Sequence, residues 1–193
     1  MLSTGWVEPI HPNFVCMSDP QLLPVNYTLQ NEKVILRPLI AEDMDILYAV
    51  ASDPLIWAQH PNPDRYRREV FEKFFEGAIA SQGAFMILDA SSGDPIGSSR
   101  FYDYFPEAGE VKIGYTFFAR KCWGGGFNTA AKQLMTAHAF QWVERIIFHI
   151  GAGNLRSQIA IGRIGAQKIG EEDVAYYGEA TKQNFVYLLE RMS

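Results

Sequence analysis

The chain has 193 residues, 48% of them hydrophobic and 20% charged, with a formal net charge of −5 at pH 7; this is the profile of a globular protein long enough to bury a core. No apolar run approaches the ~20 residues that span a bilayer, and the first fourteen residues have neither the basic start nor the apolar stretch of a secretory signal. Cys16 and Cys122 lie far apart in the sequence, which argues against a disulfide framework and a thiolate metal site, so no metal and a cytoplasmic location are expected.

In chain order, residues 1–30 hold four prolines and no clear period, and read as an extended lead-in packing on the remainder, residues 31–193, which read as a single domain. Lys33–Leu39 predicts a strand stopped near Pro38. Ala41–Ala51 predicts a helix with Glu42 and Asp43 in its first turn, where the helix dipole favours acids. Pro54 and the run Gln59–Asp64 predict loop, and the spacing of Val70, Phe71, Phe74, Phe75 and Ile79 predicts a helix over Arg65–Ala80. Ala84–Asp89, Pro95–Tyr104 and Glu110–Phe118 read as strands joined by short turns, and therefore as an antiparallel meander. Then follow a helix at Ala130–Trp142, a buried strand at Arg145–Ile150 and a short helix at Asn154–Ile164 ended by Gly165. Two last strands, 167–177 and 183–191, are joined by a turn at Gly178–Thr181. The order β-α-α-β-β-β-α-β-α-β-β implies a mixed sheet flanked by helices.

Between the third strand of the meander and the long helix stand Gly124, Gly125 and Gly126. Strand, glycine loop and helix start, in that order, present bare backbone N–H groups and the positive end of a dipole to an anion. The charge distribution agrees. Val111–Gly170 contain one acid, Glu144, against eight bases: Lys112, Arg120, Lys121, Lys132, Arg145, Arg156, Arg163 and Lys168. A basic block within an acidic chain points to a local anionic ligand rather than to nucleic acid. The loop is not a P-loop, because it lacks the Gly-Lys-Ser/Thr ending, and it lacks full Rossmann spacing.

These residues resemble the GCN5-related N-acetyltransferase family, in the branch that acetylates ribosomal-protein N-termini, over about residues 32–191. The family's Arg/Gln-x-x-Gly-x-Gly/Ala signature falls on Trp123-Gly124-Gly125-Gly126-Phe127-Asn128, with Trp123 in the first slot. Its Asn-x-x-Ser motif is Asn154-Leu155-Arg156-Ser157, closing with Ile164-Gly165-Ala166, and Val34-Ile35-Leu36-Arg37-Pro38-Leu39 matches the branch's first strand. Ile161 stands where many relatives carry a tyrosine acid, and Ala130 where a glutamate often follows the loop. The resemblance implies a mixed α/β (α+β) fold with a mostly antiparallel twisted sheet of about seven strands, splayed between the fourth and fifth, and about four flanking helices.

It further implies acetyl-CoA as cosubstrate, an amine acceptor, no nucleic-acid or membrane partner, and a monomer or homodimer. The pyrophosphate is expected at Gly124, Gly125, Gly126, Phe127, Asn128 and Thr129, with charge from Arg120 and Lys121. The pantetheine is expected along Tyr115–Phe118, with a backbone N–H near Phe117 polarising the thioester and Phe118 beside it. Asn154 is expected chiefly as a helix N-cap that also helps fix the cofactor. Ser157 is the candidate acid, a modest demand for a thiol of pKa near ~8.5, and Glu110 the candidate base. An α-amine of pKa ~7.7–8.0 needs little help from a base, whereas a lysine at ~10.4 needs much more. Trp57, His60, Arg65 and Tyr115 are the candidate acceptor-binding residues. His138 and His149 read as core histidines. The Lys121 charge beside Cys122 is weak ground for an acyl-enzyme. A non-catalytic CoA-binding module of the same fold is the competing reading, because the tyrosine acid is missing.

Overall fold

The computed structural model describes residues 23–25, 27–175 and 181–192. A two-residue strand β1, Leu29–Gln30, pairs with β2, Val34–Pro38. A 3-10 turn at Ala41–Asp43 then leads into α1, Met44–Ala51. Arg37 grips Asp43 through two hydrogen bonds of 2.6 and 2.7 Å, and the same carboxylate accepts from the Ile40 N–H at 3.0 Å. This fork-to-carboxylate pair fixes the turn from strand to helix.

The stretch around Pro54, expected as loop, contains a one-turn helix α2, Pro54–Trp57. Asp53 accepts from the Leu55 N–H at 3.0 Å and Pro54 fills the first helical position, the pairing that starts a helix. The next helix begins three residues later than its apolar spacing suggests. Pro63–Tyr66 winds as a 3-10 turn, Arg67 is extended, and α3 runs Arg68–Ala80 with Phe71, Phe74, Phe75 and Ala78 buried.

The meander is β3, Ala84–Asp89, β4, Pro95–Phe105, and β5, Glu110–Phe118. Helix α4 spans Phe127–Ala139, then β6, Arg145–Gly151, α5, Leu155–Gly162, β7, Gln167–Val174, and β8, Lys182–Glu190. The turn expected at Gly178–Thr181 falls largely outside the described residues, as does most of the lead-in. The strands form one eight-stranded sheet in the order β1-β2-β3-β4-β5-β6-β8-β7. All its pairs are antiparallel except β5 with β6. The architecture is therefore the mixed, mostly antiparallel sheet expected, with β1 added at one edge.

Two features of β5 shape the site. First, its parallel pairing with β6 is confined to Glu110↔Arg145, Val111↔Ile146 and Lys112↔Ile147, after which the strands part. Second, Arg100 of β4 faces Gly114 whereas Ser98 faces Phe117, so Tyr115 and Thr116 together oppose Ser99. This is a β-bulge, with Tyr115 in the left-handed region at φ 54°. A bulge exchanges the faces of the residues beyond it. Val111 and Ile113 pack in the core beneath α4, yet Phe117 packs in the other cluster, with Trp57, Phe71, Phe74 and Met86. Gly97 permits the close passage of β4 here, because a Cβ would stand 2.1 Å from the Phe117 carbonyl oxygen.

Candidate functional site

Where β5 and β6 part, a cavity of about 310 Å³ opens through the sheet. Its lining includes the second half of β5, the glycine loop, the start of α4, the end of β6, the first two turns of α5 and the segment around α2.

At one end stands the glycine loop. Gly124 and Gly126 adopt φ of 73° and 80°, and Gly126 is the N-cap of α4. The first intrahelical bond runs from the Ala130 N–H to the Gly126 carbonyl at 3.0 Å. The N–H groups of Phe127, Asn128 and Thr129 precede it and have no intrahelical acceptor to meet. Helix α4 thus starts on the loop itself, three residues earlier than Ala130. Lys33, in the turn between β1 and β2, brings its Nζ to 3.8 Å from the position a Gly126 Cβ would take, and 5.1 Å from the Phe127 ring centroid. Nothing in the sequence marks that approach, which is made across the fold. Arg120 and Lys121, expected at this entrance, are paired instead with Asp53 and Asp94. Neither they nor Gly125 lines the cavity, whereas the other loop and β5 residues expected to hold the cofactor do.

On the side of α5, the Asn154 side chain accepts from the Ser157 N–H at 3.1 Å, which is the N-cap expected of it. Both residues line the cavity. The neighbouring Arg156 lays its guanidinium over the Trp123 ring at 4.0 Å and donates to the Ile56 carbonyl at 2.8 Å. That contact ties the glycine loop, α5 and α2 together around the slot. Ile161 contributes an apolar wall. Cys122 also lines the cavity, but burial pushes its thiol up, away from the thiolate that a nucleophile requires.

The opposite end gathers Trp57, His60, Arg65 and Tyr115, the four residues named for the acceptor. Trp57 is buried, with its Nε1–H donating to the Ala51 carbonyl at 2.7 Å and its ring 5.0 Å from that of Phe117. Arg65 is buried among aromatic rings, 4.6 Å from the Phe74 centroid, and its Nη1 lies 3.1 Å from His60 Nε2. Burial, reinforced by the Arg65 charge, holds His60 well below the usual histidine range, so its ring is neutral at pH 7.

Two further residues emerge. Lys132 of α4 is buried and lines the cavity. Its ammonium donates to Thr116 Oγ1 at 2.6 Å, in the β5 bulge, and to Ser99 Oγ at 3.1 Å. Burial lowers its pKa to about 7. The side chain of His149 in β6 is buried, as expected of a core histidine, but it also lines the cavity. Its Nε2 lies 3.2 Å from Glu172 Oε2 of β7, and its Nδ1 has no hydrogen-bond partner among the described residues. Glu110, the candidate base, sits at the closed end of the β5–β6 pair, 3.5 Å from Arg145 Nη2, and outside the cavity lining. Among the described residues no cluster of three or more histidine, cysteine or acidic side chains could hold a metal ion, and no helix is long and apolar enough to cross a membrane.

The site is thus a parted pair of parallel strands in a mixed sheet, with a glycine loop and helix start at the opening. The family model of the acetyltransferase (GNAT) domain matches residues 33–167, and the chain belongs to that family. A search of curated proteins finds no match. Among solved structures, a GCN5-related N-acetyltransferase from Brucella melitensis is 22% identical with a TM-score of 0.72, covering 89% of this chain and 81% of its own. The acetyltransferase (GNAT family) from Bacillus anthracis is 19% identical with a TM-score of 0.68, covering 85% and 98%. Mycobacterium smegmatis RimJ, in complex with CoA-disulfide, is 17% identical with a TM-score of 0.67, covering 86% and 88%. At these identities the likeness is one of fold.

Proposed function

We propose that this protein is an acetyl-CoA-dependent N-acetyltransferase that passes the acetyl group to a primary amine, a protein N-terminus or a small molecule, within a ternary complex. One observation carries this reading: a single cavity joins the glycine loop at the start of α4 to the cluster of Trp57, His60, Arg65 and Tyr115. Two ligands entering from opposite ends would meet at the bulge of β5, which is the geometry direct transfer needs. The residues present fit the cofactor. Gly124 and Gly126 take backbone angles that leave the loop free of side chains, the first turn of α4 offers its N–H groups, and Lys33 adds a positive charge beside them. The solved relative from M. smegmatis holds a CoA derivative, which supports the same use of the fold.

Acetyl-CoA would supply an activated acetyl thioester. Ser157, in the first turn of α5 and in the cavity lining, would give a proton to the leaving sulfur. For the base, His149 replaces Glu110 in our reading, because it lines the cavity and Glu110 does not. Glu172 orients its ring and leaves Nδ1 to accept a proton.

The test has two parts, calorimetric titration with CoA and thiol release from acetyl-CoA with a panel of amines. The panel comprises peptides with free α-amines, free amino acids and polyamines. Binding with turnover is expected. Binding without turnover across the panel favours the non-catalytic module, and absence of CoA binding removes the reading altogether. Ser157→Ala is expected to lower kcat about 10- to 100-fold while leaving CoA affinity within about twofold. Unchanged turnover in that variant takes Ser157 out of the chemistry.

A further inference from the structure

Lys132 has no evident structural reason to be a lysine. It lies in α4 beside Ala131 and one turn before Met135, both fully buried, in a helix whose other buried residues are Ala130, Ala139 and His138. A buried ammonium without a counter-charge is destabilising. No carboxylate pairs with this one among the described residues. The groups packed against its head are Ser99 on β4, Thr116 on β5 and the Phe148 ring on β6, 6.0 Å away, none of which carries charge. The two hydroxyls spread the charge without cancelling it. Their oxygens lie 2.7 Å apart and each reaches the Gly114 carbonyl, at 3.3 Å from Thr116 and 3.5 Å from Ser99, so their own protons are used within the cluster. An ammonium has three N–H donors. Two are taken here, and the third finds no acceptor among the described residues.

The position of the cluster gives it a use. The Thr116 hydroxyl belongs to the β4–β5 bulge, beyond the last β5–β6 pair at Lys112, and both Thr116 and Lys132 line the cavity with Phe117 and Ser157. The cation therefore stands beside the gap through the sheet, on the α4 side. Resting on the acetyltransferase reading above, we propose that Lys132 stabilises the negative charge that leaves on the CoA sulfur, so that this chain supplies by a buried cation what Ile161 cannot supply. In the step concerned, the acceptor nitrogen, having lost a proton to the base, forms a C–N bond to the acetyl carbonyl carbon. The C–S bond breaks and its electron pair goes to sulfur. Lys132 faces that pair until Ser157 or water delivers a proton. The second proton lost by nitrogen replaces the one that was delivered, and the base releases its own to solvent, so that an ammonium acceptor yields the amide, the thiol and one free proton. A preorganised charge in a water-poor slot is worth far more to such a step than one in water.

The experiment compares wild type with Lys132→Met and Lys132→Arg. The first readout needs no turnover: the ultraviolet absorbance of the thiolate of bound CoA, followed against pH. In wild type the bound thiol is expected to ionise about one to two pH units below a free thiol, and in Lys132→Met at the ordinary value, with Lys132→Arg close to wild type. The second readout is kcat against pH, on the fastest amine of the panel. Wild type is expected to lose rate as the pH rises past the point where Lys132 gives up its proton. Lys132→Met is expected to lack that falling limb and to run about 100-fold slower at pH 7, whereas Lys132→Arg also lacks the limb but keeps most of the rate. Thiol ionisation and kcat both unaltered in Lys132→Met overturn the proposal, as does an acetyl group found on Lys132 by peptide mass spectrometry, which would make it an acceptor. If wild type fails to bind CoA, the acetyltransferase reading falls and takes this one with it. If CoA binds and only the thiol titration and the limb are unmoved, Lys132 alone is removed.

Discussion

Gly126→Val is expected to reduce affinity for CoA at least 100-fold, with the fold retained. At φ 80° Gly126 occupies the left-handed region, where an L-residue is strained by about 1–2 kcal/mol and a β-branched one by more. Space alone is not the obstacle, because the nearest atoms to a Cβ are those of the Lys33 side chain at 3.8 Å. A valine would therefore act in two ways: it would turn the backbone N–H groups out of the anion-binding arrangement, and it would place methyl groups between them and the Lys33 ammonium. Gly126→Ala separates these effects. It carries the strain with little bulk, and a loss of about 5- to 10-fold is expected. Calorimetric titration with CoA at fixed ionic strength measures both, with circular dichroism as the control on folding. Undiminished affinity in Gly126→Val sinks the reading of this loop as the phosphate site.

That loop was legible in the sequence because its signals are local. Three glycines between a strand pattern and a helix pattern need no knowledge of the rest of the fold. The same holds for Asn154, whose cap is made three residues away, and for β5, whose start is marked by the turn residue Gly109. The helix α3 was legible through its aromatic stripe, although its start was not. Pro63 holds a 3-10 turn there and delays the helix to Arg68, a competition between two local conformations that apolar spacing does not resolve.

The features that failed to show are those that depend on a distant partner. Arg120 and Lys121 look like free cations beside the glycine loop, but Asp53 and Asp94 arrive from elsewhere and pair with them. Lys33 looks like an isolated strand-end charge and reaches the loop only through tertiary structure. The bulge at Tyr115–Thr116 is hidden for another reason: a tyrosine in the left-handed region leaves no mark in the sequence. Because the bulge exchanges faces, it also decides that Thr116 turns toward α4 and Phe117 toward α3. Lys132 was visible as one base in a basic block, but charge counting places a lysine on the surface by default. His149 read as core and its side chain is buried; its place beside the cavity and its bond to Glu172 depend on β8 being inserted between β6 and β7.

Lys132→Met is expected to make the protein more stable at pH 7 even as it slows the reaction. In the folded chain Lys132 titrates near 7 instead of 10.5, and burial alone is the cause. Between those values the unfolded chain binds more protons at this position than the folded one, so the lysine's contribution to stability rises with pH across that window. Below pH 7 both states are charged and the full burial penalty stands; by about pH 10.5 both are neutral and the penalty is gone. One pH unit of displacement corresponds to 1.36 kcal/mol. Allowing for relaxation around the site and for imperfect packing of the methionine, a gain on the order of 3 kcal/mol at pH 7 is expected. For a domain of this length each kcal/mol raises Tm by about 2–4 °C, so a shift of roughly 6–12 °C is anticipated at pH 7, shrinking as the pH approaches 10. Urea and thermal denaturation of the two proteins from pH 6 to 10 measure it. A less stable variant at pH 7, or a difference that ignores pH, would show that the ammonium is satisfied in the folded state. A protein that grows more stable and less active on losing one buried charge is the pairing expected when that charge is kept for chemistry rather than for folding.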